Sequence, residues 1–163
     1  MNSNKMMVAC YIKHAKYWES RSREIRDSYW EYFNHMFETN PYVYLEEIYI
    51  DITDKKHVYE RPEMLRLLLK CLVGEIDIIL TPTRAYLAAN LEEFCYLYRF
   101  LDEMEQTIDL LTEDDDMPIN TIINCENQSQ NLLVMSHKLT SDEGYSNWKK
   151  RVILKIKNLQ TEK

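Results

Sequence analysis

Glycine and proline are scarce in this chain, two and four among 163 residues. So little of either argues against a disordered chain or a repeat array, and no glycine-rich loop is present to cradle nucleotide phosphates. Cysteine is sparse as well. Cys10, Cys71, Cys95 and Cys125 form no Cys-x-x-Cys pair, and His14, His35, His57 and His137 stand apart in sequence, so zinc spacing is missing. The expectation is reduced, buried thiols in a cytoplasmic protein, with no metal and no cofactor. No apolar run is long enough to span a membrane, and "MNSNKMMVACYIKH" at the amino terminus is too short in apolar residues for a signal peptide. Basic charge is also in deficit, the formal net charge being −7. A domain that binds nucleic acid unaided usually carries a basic excess, so DNA binding by this chain alone is expected to be weak.

What is present suits one domain with a terminal appendage, large enough for a core without disulfides. Charge is uneven: Asp102 to Asp116 holds eight acidic residues and no basic one, whereas Asn147 to Lys163 holds six basic and one acidic. "MMVACYI" (Met6 to Ile12) reads as a buried first strand. From Trp18 to Phe37 the spacing of Ile25, Tyr29, Tyr32, Phe33 and Phe37 predicts a helix, broken at Asn40 and Pro41. "YVYLEEIYI" predicts a second strand and "DITDKKHVYE" a polar, mobile loop. Pro62 opens the helix "PEMLRLLLKCLV", with Gly74 as its C′ residue. "IDIIL" predicts a third strand. Asn90 caps "LEEFCYLYRFLDEM", with Glu92 and Glu93 in the first turn, and "TIDLL" follows as a fourth strand. Such alternation implies a mainly parallel sheet of four to five strands with helices on both faces. Beyond Pro118, "INTIIN" reads as a short strand, then "SQNLLVMSHKL" and "SDEGYSNWKKRVILKIKNL" as helices. Tyr145, Trp148, Val152, Ile156 and Leu159 line one side of the last helix, to pack on its own domain or on a partner.

Two stretches together resemble the catalytic domain of the serine recombinases, the resolvase–invertase family. "NPYVYLEEIYID", a polar loop and "RPEMLRLLLKCLVGEIDIIL" are similar to that family's strand, aspartate, mobile loop, Arg-Pro helix and following strand. "LAANLEEFCYLYRFLDEMEQTIDLL" is similar to its helix and strand after the active-site loop. The resemblance spans Met6 to Asp116 and implies a resolvase-like α/β domain over 1–118, with a C-terminal helical extension over 119–163. No helix-turn-helix or zinc-binding cysteine cluster follows it.

The family cuts DNA with a serine at the end of its first strand, while arginines hold the scissile phosphate. A hydroxyl must attack phosphorus, and positive donors must stabilise the charge that develops on its oxygens; the planar guanidinium does so bidentately. The signature Tyr-x-Arg-Val-Ser lies over "YIKHA", which leaves Lys13 for the arginine and Ala15 for the nucleophile. The next Ser and Gln fall on Ser20 and Glu24. Asp51 and Arg61 are retained. The loop pattern Ser-x-x-(Asp or Ser)-Arg-x-x-Arg-Asn, anchored at Asn90, puts Ala85 in the acidic or serine slot and Tyr86 and Ala89 at the two arginines. Arg84 lies two residues too early.

The resemblance therefore implies a degenerate site at Lys13, Ala15, Tyr86 and Ala89. The expected role is that of a catalytically inactive recombinase-like protein on a mobile element. It would pair with itself or with an active serine recombinase, touch DNA only weakly, and have no membrane partner. Two alternatives stay open: a working recombinase or nicking enzyme with an atypical nucleophile, and an α/β module repurposed for a small ligand.

Overall fold

A computed structural model of the chain describes residues 5–113 and 132–161. Four strands and five helices are described: β1 (Met6–His14), α1 (Ser22–Phe37), β2 (Val43–Ile52), α2 (Pro62–Leu72), β3 (Ile78–Thr81), α3 (Leu91–Asp102), β4 (Asp109–Thr112), α4 (132–139) and α5 (Asp142–Thr161). The proposed strand "INTIIN" and Cys125 lie outside the described residues. The strands form one sheet, all parallel, in the order β2-β1-β3-β4.

β1 is buried because side chains on both of its faces meet helices, as parallel strands require. Val8, Cys10 and Ile12 point to one face and pack with Phe33 of α1, Ile50 and Leu80. Ala9 and Tyr11 point to the other, where Tyr49, Leu67, Leu68, Leu97 and Phe100 belong to the larger core of α2 and α3. Helices thus cover both faces. Tyr145, Trp148, Val152 and Ile156 of α5 join that larger core, so the apolar stripe of the last helix faces its own domain. Burying each of these large side chains is worth up to roughly 1.5–3 kcal/mol, which fixes α5 against the α2–α3 layer.

Local details follow from the residues. Gly74 takes the left-handed conformation (φ 80°) just past α2, where a Cβ would be strained. Asn90 accepts from the Glu93 backbone N–H at 2.9 Å and so caps α3. Two expectations change. The helix anticipated from Trp18 begins instead as a 3₁₀ segment, Lys16–Arg21, before α1. No buried residue falls in that segment, so nothing there favours the wider α-helical turn. The polar loop after β2 contains a second 3₁₀ turn, Val58–Glu60, around a fully buried Val58, and polar contacts described below tie it down. Cys10, Cys71 and Cys95 are buried and unpaired, and burial pushes the Cys71 thiol up to about 12. No described helix is long and apolar enough to cross a membrane.

Strand order locates the place for a ligand. From β1 the chain crosses to β2 on one side, while β3 lies on the other. The carboxyl ends of β1 and β3 therefore flank the point where the winding reverses, the usual ligand crevice of an open α/β sheet. Ala15 and the loop from Pro82 to Asn90 sit at that crown.

Candidate functional site

Thr81 at the end of β3 donates its hydroxyl proton to the Tyr11 carbonyl of β1 (2.8 Å) and closes the floor of the crevice. β1 ends at His14. Ala15 is exposed, with extended backbone, and leads into the Lys16–Arg21 segment. The residue at the strand end therefore offers a methyl group and no nucleophilic oxygen. Ser20 and Glu24 are exposed on the 3₁₀ segment and α1.

Asp51 and Arg61 are both buried. Asp51 accepts from the Tyr11 hydroxyl (2.8 Å) and from the backbone N–H groups of Glu63 (3.0 Å) and Met64 (2.9 Å). It thus caps α2 from the neighbouring strand, satisfying donors that a helix start leaves open, while Arg61, at the N-cap position itself, makes no side-chain cap. Burial raises the Asp51 carboxyl above its ordinary value, against the pull of these three hydrogen bonds. Arg61 is 1% exposed. Its Nη1 donates to the Tyr86 carbonyl and its Nη2 to the Lys56 carbonyl, both at 2.6 Å. The guanidinium fork is turned onto backbone and joins the loop after β2 to the loop after β3. It pairs with neither Glu60 nor Glu63, the acidic neighbours that sequence offers.

Lys13 lies opposite Asp51 in the β1–β2 register. Burial, and after it the Arg61 charge, push the Lys13 ammonium below its ordinary value. Tyr86 reaches the end of β1: its ring centre is 6.0 Å from that of His14, and His14 Nε2 lies 3.2 Å from the Tyr29 hydroxyl. Burial, followed by Tyr86, raises the Tyr29 hydroxyl to about 12. Burial and the Lys13 charge lower His14. Tyr86, which the resemblance sets against a loop arginine, thus joins a cluster with an imidazole and a second aromatic hydroxyl. Ala89 is held on the α3 side, its N–H donating to Glu93 Oε1 at 2.8 Å. Arg84 turns the same way, its guanidinium 5.7 Å above the centre of the Phe94 ring.

The structure therefore brings Lys13, Asp51, Arg61 and Tyr86 into one neighbourhood at the carboxyl ends of the strands, and it leaves Ala89 and Arg84 toward α3. Sequence reasoning placed Glu93 only as a first-turn acid of α3 and missed that it is a buried carboxylate binding both crown loops, although Asn90-x-x-Glu93 has the spacing of a capping box. Nor did it single out the His14–Tyr29–Tyr86 cluster, which depends on contacts between distant segments.

No family model matches the chain, and no curated protein does so either. Solved structures do match. The N-terminal catalytic domain of TP901-1 integrase superposes with a TM-score of 0.57 at 16% identity, covering 79% of this chain and 92% of that one. The C-terminal catalytic domain of ISC1926 TnpA, an IS607-like serine recombinase, gives a TM-score of 0.52 at 11% identity, over 96% of this chain and 97% of that one. With its all-parallel sheet and α5 packed behind α2 and α3, the chain has the fold of the serine recombinase catalytic domains.

Proposed function

We propose that this chain is a serine-recombinase-like domain without strand-cleaving activity, which acts in site-specific DNA recombination by binding. Its partner is a second copy or an active serine recombinase, and its own contact with DNA is weak. One observation supports the reading: Ala15, which the resemblance aligns with the nucleophile, follows directly on β1, exposed and without a hydroxyl. Nor is the retained arginine a ready phosphate clamp: Arg61 commits Nη1 and Nη2 to the Tyr86 and Lys56 carbonyls, the donors a bidentate phosphate grip would use.

The test is incubation with nicked and suicide DNA substrates of varied sequence, read by denaturing electrophoresis. No covalent protein–DNA adduct is expected, and a reproducible adduct would overturn the proposal. Co-purification with a serine recombinase from the same host, or concentration-dependent self-association, is the positive arm. A protein that stays monomeric and captures no recombinase would remove the binding role.

A second reading, an enzyme with an atypical nucleophile, draws on the His14–Tyr29–Tyr86 cluster. Raised to about 12, the Tyr29 hydroxyl is a poor nucleophile at neutral pH, so inactivity is the better supported reading.

A further inference from the structure

Glu93 occupies the third position of α3 and is 3% exposed. Donors from three separate segments converge on its carboxylate. From the loop after β2, the Val58 N–H reaches both oxygens at 3.2 Å and His57 Nδ1 lies 3.3 Å from Oε2. From the loop after β3, the Ala89 N–H reaches Oε1 at 2.8 Å. From α5, the Trp148 indole Nε1–H reaches Oε2 at 2.9 Å. A capping-box glutamate ordinarily turns back to its own N-cap N–H. Here it reaches one residue further, to Ala89, and across to elements 35 and 55 residues away.

We propose that Glu93 is a latch by which docked α5 holds both loops of the crown. Lifting α5 loosens the loops, and disturbing the loops loosens α5. The chemistry suits a carboxylate alone, because it faces N–H donors; an amide would turn its own donors on some of them. A cleft of about 220 Å³ opens beside the latch, between α5 and the loop after β2, with His57, Tyr59, Tyr96, Trp148 and Arg151 among its lining. Arg151 of α5 donates to the Tyr59 hydroxyl across that cleft (3.1 Å), while Trp148 of α5 donates to Glu93 of α3 at its edge. Coupling between two sites is reciprocal, so a partner that engages α5 would be felt at Ala89 and Val58. The latch goes beyond the binding role proposed above and does not depend on it.

Amide and indole hydrogen exchange on the full chain tests it, with no DNA or recombinase present, so its outcome is separate from that of the functional proposal. Trp148→Phe keeps a ring and removes the N–H. Losing a hydrogen bond to a charged acceptor corresponds to about tenfold or more in an opening equilibrium. Val58 and Ala89 amides should therefore exchange about tenfold faster, while those of Leu67 and Leu68 in α2 stay unchanged. In the reverse direction, exposed-side His57→Ala should speed exchange of the Trp148 indole proton. Acceleration confined to α5, equal acceleration at Leu67 and Leu68, or an indole proton indifferent to His57→Ala would each overturn the latch.

Discussion

Replacing Arg61 by alanine separates a structural arginine from a phosphate-binding one. In the structure its guanidinium makes two 2.6 Å bonds to the carbonyls of Tyr86 and Lys56, and the side chain is almost wholly enclosed. A hydrogen bond involving a charged group contributes about 1.5–3 kcal/mol. Removing both leaves two carbonyls short of a donor and a void beside Tyr11, while the desolvation cost of the buried cation is relieved. Together these give a loss of about 3–5 kcal/mol, the usual scale for breaking a buried charged contact. For a domain of this size that corresponds to a fall in Tm of roughly 6–20 °C, a large share of a typical stability of about 5–15 kcal/mol. Urea denaturation followed by far-UV circular dichroism, with thermal melts alongside, measures it. Arg61→Lys, which restores a single donor group without the fork, should recover only part of the loss. An Arg61→Ala protein within about 0.5 kcal/mol of wild type, the range of ordinary surface changes, would refute the reasoning and return Arg61 to a ligand-binding role.

Three further outcomes are expected. Ala15→Ser alone should yield no covalent adduct on suicide DNA if, as the resemblance implies, Tyr86 and Ala89 stand in place of two loop arginines; an adduct would show that a hydroxyl suffices. Gly144→Ala should destabilise by about 1–3 kcal/mol despite the better helix propensity of alanine, since the new Cβ would collide with the Tyr96 hydroxyl and sit 2.9 Å from Ser141 Oγ; a higher Tm would contradict this. Burial raises the Glu103 carboxyl, but the Tyr145 hydroxyl and Lys149 outweigh it, and the net direction is down. A depressed carboxylate contributes stability above its unfolded pKa of about 4.3 and loses it as pH falls through the folded value. Glu103→Gln should therefore flatten the acid limb of the stability curve, and an unchanged limb would exclude the contribution.

Much of the fold was legible because it rests on local periodicity. The apolar run at Val8 to Ile12 reads as a strand buried on both faces, and its side chains divide between two cores. Pro62, Gly74 and Asn90 mark helix ends through backbone constraints that need no tertiary context. The Lys16–Arg21 segment was misjudged because apolar spacing does not distinguish a 3₁₀ turn from the first turn of a helix when the side chains lie in solvent. The loop after β2 looked mobile because its composition is polar. Its anchors, the Glu93 carboxylate on Val58 and the Arg61 fork on Lys56, come from outside the loop or from its edge.

The same division runs through the candidate site. That residue 15 carries no hydroxyl, and that Tyr86 and Ala89 are not arginines, are facts of covalent chemistry, and sequence alone determined them. Where Arg61 would aim its fork was open until the loops were in place, because its acceptors are main-chain carbonyls, which look alike in any sequence. Tertiary structure turned that fork onto Tyr86 and Lys56. It also brought Tyr86 to His14 and set one glutamate among donors from three segments, since contacts across 25 to 72 residues arise only when the sheet and its helices assemble.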